Sequence, residues 1–469
     1  MRVSLMLRVF RHYLPAGLLW AALIEGLLLL LALPVGALLC WILTASIQDP
    51  ASRLVVAPAV VLAFALSMLV GLTATGCYQR DARDTPLELV LRIVLGLCGG
   101  LLLFLPLQLW LPGGTTSPLA LGLASALALV GVASNRLLCA SANERLFARR
   151  VLVLGAGERA HRIESLRRAS DRRGVQLVAF IRHGEDSPRV NAARLVFPGA
   201  SLVSLARRFA ASEIVVALDD RRVDFPEQEL LECKMQGIRV TEDIAFLERQ
   251  RGRVLLEGLG AGDLIFADGY TQAISGGRIK RVLDVLVAGT LLLVALPLML
   301  LVSLAIMIES GAPVIYVQER VGHGGRVFRL YKFRSMRQDA EANGQAVWAQ
   351  QGDRRVTRLG RFLRKSRLDE LPQLFNVLAG DMSLIGPRPE RPAFVASLTQ
   401  EIPYYPLRHC VKPGITGWAQ ICFPYGASTN DAREKLQYDL YYLKNYSLLL
   451  DLMILCQTAQ VILWGKGAR

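Results

Sequence analysis

The segment "SRLDELPQLFNVLAGDMSLIGPRPE" (residues 366–390) combines two adjacent carboxylates, an apolar run and an arginine between prolines. The apolar residues after the acidic pair recur at spacings of three and four, which predicts an amphipathic helix. Pro372 is tolerated only in a first helical turn, so the helix should begin near Asp369. Asp369 and Glu370 would then lie at a helix N-terminus, where the helix dipole stabilises negative charge.

This acidic pair has two interpretations. Aspartate is a favoured N-cap, and in the first interpretation the pair serves only to stabilise the helix. Its neighbours favour chemistry instead, because basic residues including Arg364 precede it and Pro387 and Pro389 fix the backbone around Arg388. Arginine held in this way can bind phosphate with two hydrogen bonds. A carboxylate can attack phosphorus directly, and Mg²⁺ takes oxygen ligands and neutralises a diphosphate.

Upstream of this segment, the first third of the 469-residue chain is strongly apolar, and 53% of all residues are hydrophobic. This composition excludes an ordinary soluble enzyme. Four apolar stretches are each about long enough, or nearly so, to cross a bilayer as a helix. We therefore predict a four-helix transmembrane bundle in residues 1–140. The four stretches span residues 16–43, 54–74, 95–111 and 119–133.

Arginines predict how these helices are oriented. They precede the first helix, separate the second from the third (Arg80, Arg83, Arg92) and follow the fourth from Arg136 onward. The positive-inside rule then places the N-terminus and everything after residue 136 in the cytoplasm. The net charge of +15 indicates attraction to membrane lipids and phosphorylated substrates. We find no nucleic-acid recognition motif, so we expect no nucleic-acid partner.

After the helices, "RRVLVLGAGERAHRIESLRRA" (149–169) is typical of a strand, a glycine turn and a helix. Gly155, Gly157 and Ala160 approximate the dinucleotide fingerprint. The second strand ends at Arg182 instead of an acid, and no YxxxK pair follows. We therefore favour a Rossmann-like α/β accessory domain in residues 149–270 over an active oxidoreductase, although the turn itself could hold a nucleotide. Further parallel strands are predicted at 174–181, 213–218 and 237–243.

A second apolar region runs from Val282 to Met307, with Pro297 in its middle. Proline kinks or breaks a helix because it removes one hydrogen bond and clashes with the preceding turn. The region is either a fifth spanning helix or a broken, re-entrant helix. Basic residues flank both ends, which favours re-entry and a C-terminal domain in the cytoplasm.

Six motifs identify the C-terminal part, residues 276–469, as resembling the bacterial sugar transferase family of monotopic polyprenyl-phosphate phosphoglycosyl transferases. The resemblance implies a re-entrant membrane helix joined to a small α/β catalytic domain. The whole chain would then be a membrane protein of α plus α/β class, whose larger architecture matches the two-part members of that family. The motifs are "KRVLD", "GAPVIYVQERVG", "YKFRSM", "LRKSRLDELPQLFNVLAGDMSLIGPRPE", "RHCVKPGITGWAQ" and "YDLYYLKNYSLLLD".

The resemblance also implies an activity: transfer of a sugar 1-phosphate from a UDP-sugar to undecaprenyl phosphate at the cytoplasmic face of the bacterial inner membrane. UMP is released, and the reaction initiates exopolysaccharide or O-antigen synthesis. By motif, Asp369 is the nucleophile and a Mg²⁺ ligand, and Glu370 assists with the metal or with protons. Arg364 and Arg388 would bind phosphates. The remaining candidate substrate-binding residues are Lys332, Lys412, Gln420 and Asp439.

Two other functions remain as alternatives at this point. One is a non-catalytic scaffold for polysaccharide assembly, which the intact Asp369-Glu370 pair argues against. The other is an NAD-dependent nucleotide-sugar modifier built on residues 149–270. We expect a homodimer, and the accessory domain either binds a ligand or mediates that contact. The sequence does not predict which sugar is transferred.

Overall fold

A computed structural model of the protein divides into two compact units, with the main boundary between Arg251 and Gly252. Residues 252–270, assigned by sequence to the accessory domain, therefore pack in the second unit. The described residues are 6–9, 12–44, 56–78, 86–112, 116–146, 149–166, 171, 174–183, 187–197, 199–220, 224–257, 259–267, 269–270, 274–338, 353, 355–423, 426 and 428–464.

The first unit begins with a short hairpin and four apolar helices. Three of these helices are long and apolar enough to cross a membrane, whereas α2 has only 17 residues. Pro58 starts α2 four residues later than the sequence predicts, as suits a residue without an N–H. Arg80 and Arg83, used above for orientation, lie outside the described residues. The elements are β1 (Met6–Val9), β2 (His12–Pro15), α1 (Ala16–Thr44), α2 (Pro58–Ala74), α3 (Pro86–Gln108) and α4 (Pro118–Leu146).

Close packing and one buried ion pair hold this bundle together. A Cβ added to Gly71 of α2 would lie 2.0 Å from the Gly96 carbonyl oxygen of α3, so glycine permits the close approach of the two backbones. Glu25 of α1 is fully buried and accepts from Arg136 of α4 at 2.5 and 2.9 Å. Arg136, an orienting residue in the sequence analysis, is therefore neutralised by a partner within the bundle.

A five-stranded parallel sheet follows, in the order β5-β4-β3-β6-β7. The residues of its central strand, β3 (Arg149–Leu154), are buried except for the half-buried Arg150. Such burial is expected where helices cover both faces of a parallel sheet. The parallel strands predicted from the sequence are confirmed. The elements are β3 (Arg149–Leu154), α5 (Glu158–Glu164), β4 (Val175–Ile181), β5 (Leu195–Val196), α6 (Leu202–Arg208), β6 (Glu213–Val216), α7 (Glu227–Met235), β7 (Arg239–Glu242) and α8 (Asp243–Arg251).

The second unit contains a 37-residue apolar helix, α10 (Ile274–Ser310), which includes Pro297. Residues 277–310 of it are the fourth segment long and apolar enough to cross a membrane. Lys280, near its start, forms a buried ion pair with Asp451 at 2.7 Å. The neighbouring Arg281 donates to the carbonyl oxygens of Val377 and Leu378 at 2.6 and 2.8 Å.

The far end of α10 contacts the same unit. Arg334 donates to the carbonyl oxygens of Ser310 and Gly311 at 2.9 and 2.5 Å, which satisfies acceptors at the helix C-terminus. Glu309 accepts from the backbone N–H of Leu359 at 3.0 Å. Both ends of the apolar helix are thus fixed to one compact body.

Around α10 lie an antiparallel hairpin, a parallel strand pair and a set of short helices, all described within the second unit. Their common core includes Val377, Tyr441 and Trp418, and it supports the loops that carry the site. The elements are α9 (Ala261–Ile265), β8 (Ile315–Val321), β9 (Val327–Phe333), α11 (Arg358–Lys365), α12 (Gln373–Ala379), β10 (Ser383–Ile385), α13 (Pro392–Glu401), β11 (Gly414–Thr416), α14 (Trp418–Cys422), α15 (Thr429–Lys444) and α16 (Leu448–Trp464).

Candidate active site

The acidic pair lies in a 3-10 turn, Leu368–Glu370, between α11 and α12. The sequence predicts a regular helix that begins near Asp369, but α12 begins only at Gln373. Arg367 explains the separation, because its left-handed backbone (φ 60°, ψ 13°) ends α11 and turns the chain. Leu371 and Pro372 then keep helical angles into α12. Asp369 and Glu370 are only 7% and 8% exposed.

Three cations converge on one oxygen of Glu370. Its Oε1 lies 3.3 Å from Lys332 Nζ, 3.0 Å from Arg388 Nη2 and 3.6 Å from Arg367 Nη1. Burial by itself would raise the pKa of Glu370, but these cations outweigh it and hold the pKa well below its ordinary value. Glu370 is therefore an ionised carboxylate that neutralises and positions basic groups.

Asp369 has the opposite environment. Burial raises its pKa and the charge of Glu370 raises it further, while Lys332, Arg364 and Arg388 act against both. Its Oδ1 is buried and has no hydrogen-bond partner in the described part of the chain. A buried acceptor without a partner costs free energy, so a ligand atom that reaches this oxygen would be stabilised there.

The loop that carries Arg388 is held in place by hydrogen bonds to its backbone groups. Arg320 of β8 donates to the carbonyl oxygen of Pro389 at 3.1 Å. Gly386 donates to the Thr416 carbonyl at 2.9 Å, which ties the loop to β11. Such clamping limits the positions that the Arg388 side chain can take, as phosphate recognition requires.

Asp439 acts on this loop through a second arginine. It pairs with the buried Arg408 at 2.9 Å, and Arg408 donates to the carbonyl oxygen of Arg388 at 3.0 Å. Arg408 also donates to the Tyr405 hydroxyl at 2.7 Å. Asp439, a predicted site residue, is therefore a positioning group three contacts away from Glu370, through Arg408 and Arg388.

The remaining predicted residues are placed differently. Gln420 accepts from Arg388 Nη1 at 3.4 Å, and its Nε2 is buried without a described partner. Arg364 acts on Asp369 through its charge. Lys412 has no described contact with the acidic pair. Burial lowers the pKa of Lys412, Arg281 lowers it further, and Asp284 and Asp381 act against both effects. The charged groups that act on Lys412 therefore lie at the start of α10 and just after α12.

We asked whether the acidic pair could hold the Mg²⁺ that the resemblance implies. In the described residues no group of three His, Cys, Asp or Glu side chains is arranged around a possible metal. Mg²⁺ commonly uses one or two carboxylates, with waters and substrate phosphates completing its shell. The unpartnered Oδ1 of Asp369 fits such a partial site, whereas Oε1 of Glu370 is already occupied by cations.

The glycine turn of the parallel sheet offers a contrasting result. Asp219, after β6, accepts from the backbone N–H groups of Glu158 and Arg159 at 2.8 and 2.9 Å. These are donors of the turn that would face a pyrophosphate. A Cβ on Gly157 would lie 2.0 Å from the Asp219 carboxylate, so the carboxylate fills the space beside this glycine. The turn therefore does not fit a dinucleotide as it stands.

Two residues of the site escaped the sequence analysis as individual candidates. Arg408 lies in the quoted motif "RHCVKPGITGWAQ", yet nothing in its spacing shows that it holds Arg388. Arg367 is one of the basic residues that precede the acidic pair, and its left-handed conformation cannot be read from the sequence. The position of Arg408 inside a family motif was the only sequence feature that could have identified it. No sequence pattern predicts the role of Arg367.

Comparison with known proteins identifies the family. Residues 276–465 match the family model described as bacterial sugar transferase. A UDP-N-acetylgalactosamine-undecaprenyl-phosphate N-acetylgalactosaminephosphotransferase of Aeromonas hydrophila is 47% identical over 246 residues, which are 52% of this chain and 56% of that protein. A UDP-glucose:undecaprenyl-phosphate glucose-1-phosphate transferase of Escherichia coli (strain K12) is 43% identical over 193 residues, 40% of this chain and 41% of that protein.

A shorter relative is matched over most of its length. It is a putative undecaprenyl-phosphate N-acetylgalactosaminyl 1-phosphate transferase of Bacillus subtilis (strain 168), 58% identical over 130 residues that cover 28% of this chain and 72% of that protein. The chain spans about half the length of the Aeromonas relative, whose match covers 56% of it. With its acidic turn, its arginine loop and these matches, the chain belongs to the bacterial sugar transferase family.

Proposed function

We propose that this protein transfers a sugar 1-phosphate from a UDP-sugar to undecaprenyl phosphate, releasing UMP, through a covalent aspartyl intermediate. One observation carries the proposal: Asp369 has a buried, unpartnered oxygen beside a glutamate that gathers three cations. The named relatives, which are undecaprenyl-phosphate sugar phosphotransferases, support the same reaction class. In a cell the reaction would initiate exopolysaccharide or O-antigen synthesis.

The chemistry follows from the two carboxylates. An ionised Asp369 oxygen attacks the β-phosphorus of the donor, and the bond between that phosphorus and the bridging oxygen breaks, so UMP leaves. An oxygen of undecaprenyl phosphate then attacks the same phosphorus, and its bond to Asp369 breaks. Lys332, Arg364 and Arg388 supply fixed positive charge to the phosphoryl oxygens in both steps. Glu370 holds Lys332 and Arg388 in position.

Mg²⁺ is part of this proposal, and Asp369 is the residue that would hold it. The ion, when bound, neutralises the diphosphate of the donor. The side chains retain distinct tasks. Arg388 orients phosphate oxygens, because its loop is clamped by Arg320 and Arg408, and Gln420 limits the rotation of the Arg388 guanidinium.

We propose that α10 is a re-entrant helix in the bacterial inner membrane and that the acidic pair faces the cytoplasm. Both ends of the helix bond to the same compact unit, which favours a bend near Pro297 over a straight crossing. Such a helix would bring the site to the depth of the lipid phosphate. Single cysteines placed in turn after α4 and after α10 test this topology. We expect an impermeant reagent to label both cysteines in inverted vesicles and neither in spheroplasts. Labelling of the cysteine after α10 in spheroplasts but not in inverted vesicles would contradict re-entry.

The division into membrane helices (1–140), a Rossmann-like accessory domain and a catalytic domain (276–469), with a homodimeric assembly, remains part of the proposal. The accessory domain, predicted over 149–270, would end near Arg251, because residues 252–270 pack in the second unit. Asp219 in the glycine turn argues against the NAD-dependent alternative, since it occupies donors that a pyrophosphate would need. The environment of Asp369 argues against a scaffold without activity. Mass measurement of the purified protein in nanodiscs would test the dimer.

A UMP-release assay across a panel of UDP-sugars tests the function. UDP-N-acetylgalactosamine is the first donor to try, since the 47% and 58% identical relatives carry that sugar in their names. We expect UMP release with undecaprenyl phosphate present and a fall of at least about 10⁴-fold in Asp369→Asn, because the nucleophile is removed.

A trapping experiment tests the intermediate. With donor alone, the peptide containing Asp369 should gain the mass of a sugar phosphate. Full turnover in Asp369→Asn, or turnover without any adduct on that peptide in the wild type, would contradict the covalent route.

A further inference from the structure

Lys435 of α15 is a half-buried cation that the site as described does not use. Its ammonium donates to the carbonyl oxygen of Gly426 at 3.2 Å. In the described part of the chain no carboxylate lies within ion-pair distance of it. Removing an ammonium from water without a counterion costs free energy, so its position requires an explanation.

Its surroundings contain arginines and carboxylates of the arginine loop and of α15. Lys435 lies one helical turn before Asp439, on the same face of α15, and Asp439 is already paired with Arg408. Burial lowers the pKa of Lys435; Glu390 and Asp431 act against this effect, and Arg388 and Arg408 add to it. An anion bound beside Lys435 would supply the ion-pair partner that this half-buried ammonium lacks in the described part of the chain.

The proposed donor has the chemistry to supply that anion. It contains two phosphates, of which one is transferred to Asp369 and the other leaves with the nucleoside. The cations around Glu370 are available to bind the transferred phosphate. Arg388 contacts Glu370 and also acts electrostatically on Lys435, so it lies between the two phosphate positions in this proposal. We propose, on the basis of the proposed function, that Lys435 binds the phosphate that departs as part of UMP.

This assignment has a defined consequence for ligand binding. A lysine on the departing phosphate should stabilise the bound donor and bound UMP, since both carry that group. It should not affect undecaprenyl phosphate, nor uridine, which has no phosphate. The ratio of UMP affinity to uridine affinity therefore isolates the interaction.

The test is a calorimetric titration of the full chain in detergent with UMP and with uridine. Lys435→Met removes the charge, Lys435→Arg keeps it, and Arg433→Met is the control on an exposed residue of the same helix. We expect Lys435→Met to weaken UMP binding about tenfold and to leave uridine binding unchanged. Lys435→Arg should retain most of the affinity for UMP, and Arg433→Met should match the wild type.

Several outcomes would overturn the inference. They are an unchanged affinity for UMP in Lys435→Met, an equal loss for UMP and uridine, and a wild type that binds the two ligands equally or binds no UMP. If Lys435→Met does not fold, Lys435→Arg and the wild-type ratio decide. The proposed function fails separately, when no UDP-sugar yields UMP although UMP binding still depends on Lys435.

Discussion

The turn at Asp369–Glu370 and the glycine turn at Gly155–Ala160 use carboxylates in opposite ways. In the glycine turn, each oxygen of Asp219 accepts a backbone N–H, so the turn satisfies itself. In the acidic turn, one oxygen of Asp369 has no described partner and cations are gathered around its neighbour. A motif therefore indicates a ligand-binding site where its buried polar groups lack partners within the protein, and a familiar residue spacing alone does not establish one.

Replacing Glu370 tests the acidic turn most severely. Glu370→Gln should reduce turnover about 100-fold, because three cations lose their shared carboxylate. The charge of Glu370 also raises the pKa of Asp369, so its removal should lower that pKa. The acid limb of the pH–rate profile would then move to lower pH, since Asp369 must be ionised to attack. Glu401→Gln, on the exposed end of α13, is the control; an acid limb that stays in place would refute the coupling.

The next effect concerns the support of the arginine loop. Asp439→Asn should lower turnover about tenfold, because Arg408 loses its counterion and holds the Arg388 carbonyl less firmly. Asp431→Asn on the same helix disrupts a capping box and should cost about 1 kcal/mol of stability without slowing the folded enzyme. Equal kinetic losses in the two variants would show that Asp439 has only a structural role.

A substitution in the glycine turn should lower the stability of the protein without reducing turnover. In Gly157→Ala the new Cβ would displace the Asp219 carboxylate, so we expect the parallel-sheet domain to lose about 1–3 kcal/mol in thermal unfolding. Turnover of the folded protein should be unchanged. Gly199→Ala, where a Cβ meets nothing within 4 Å, is the matched control. Saturable NAD binding to the wild type that Gly157→Ala abolishes would reverse the comparison between the two turns.

The smallest effect is expected when Arg367 is replaced by glycine. Glycine accepts its left-handed backbone without strain, while the guanidinium contributes only a partly exposed contact with Glu370 at 3.6 Å. Arg367→Gly should therefore keep turnover within about threefold of the wild type. Arg367→Val, a β-branched residue at φ 60°, should lose more than about tenfold because the turn would distort. If both variants behave alike, the backbone conformation does not position the acidic pair.

Much of the architecture was predictable because it depends on local patterns. Apolar stretches of sufficient length predicted the membrane helices, and the strand, glycine turn and helix pattern with the apolar runs that follow it predicted the parallel strands. The exact start of α12 was not predictable, since the left-handed Arg367 and the 3-10 turn reflect packing around Glu370. The grouping of Lys332, Glu370 and Arg388 was implied only through the family resemblance, because these residues are far apart in sequence.

Local sequence patterns are sufficient to predict the apolar helices, the parallel sheet and the acidic pair with its proline-flanked arginine. These features arise from hydrophobicity, strand composition and fixed backbone angles, which act over a few residues. Which carboxylate oxygen has a hydrogen-bond partner, and which has none among the described residues, became evident from the folded chain. That outcome depends on long-range contacts, such as Arg408 with Arg388 and Asp219 with the glycine turn, which bring together charges that no local pattern relates.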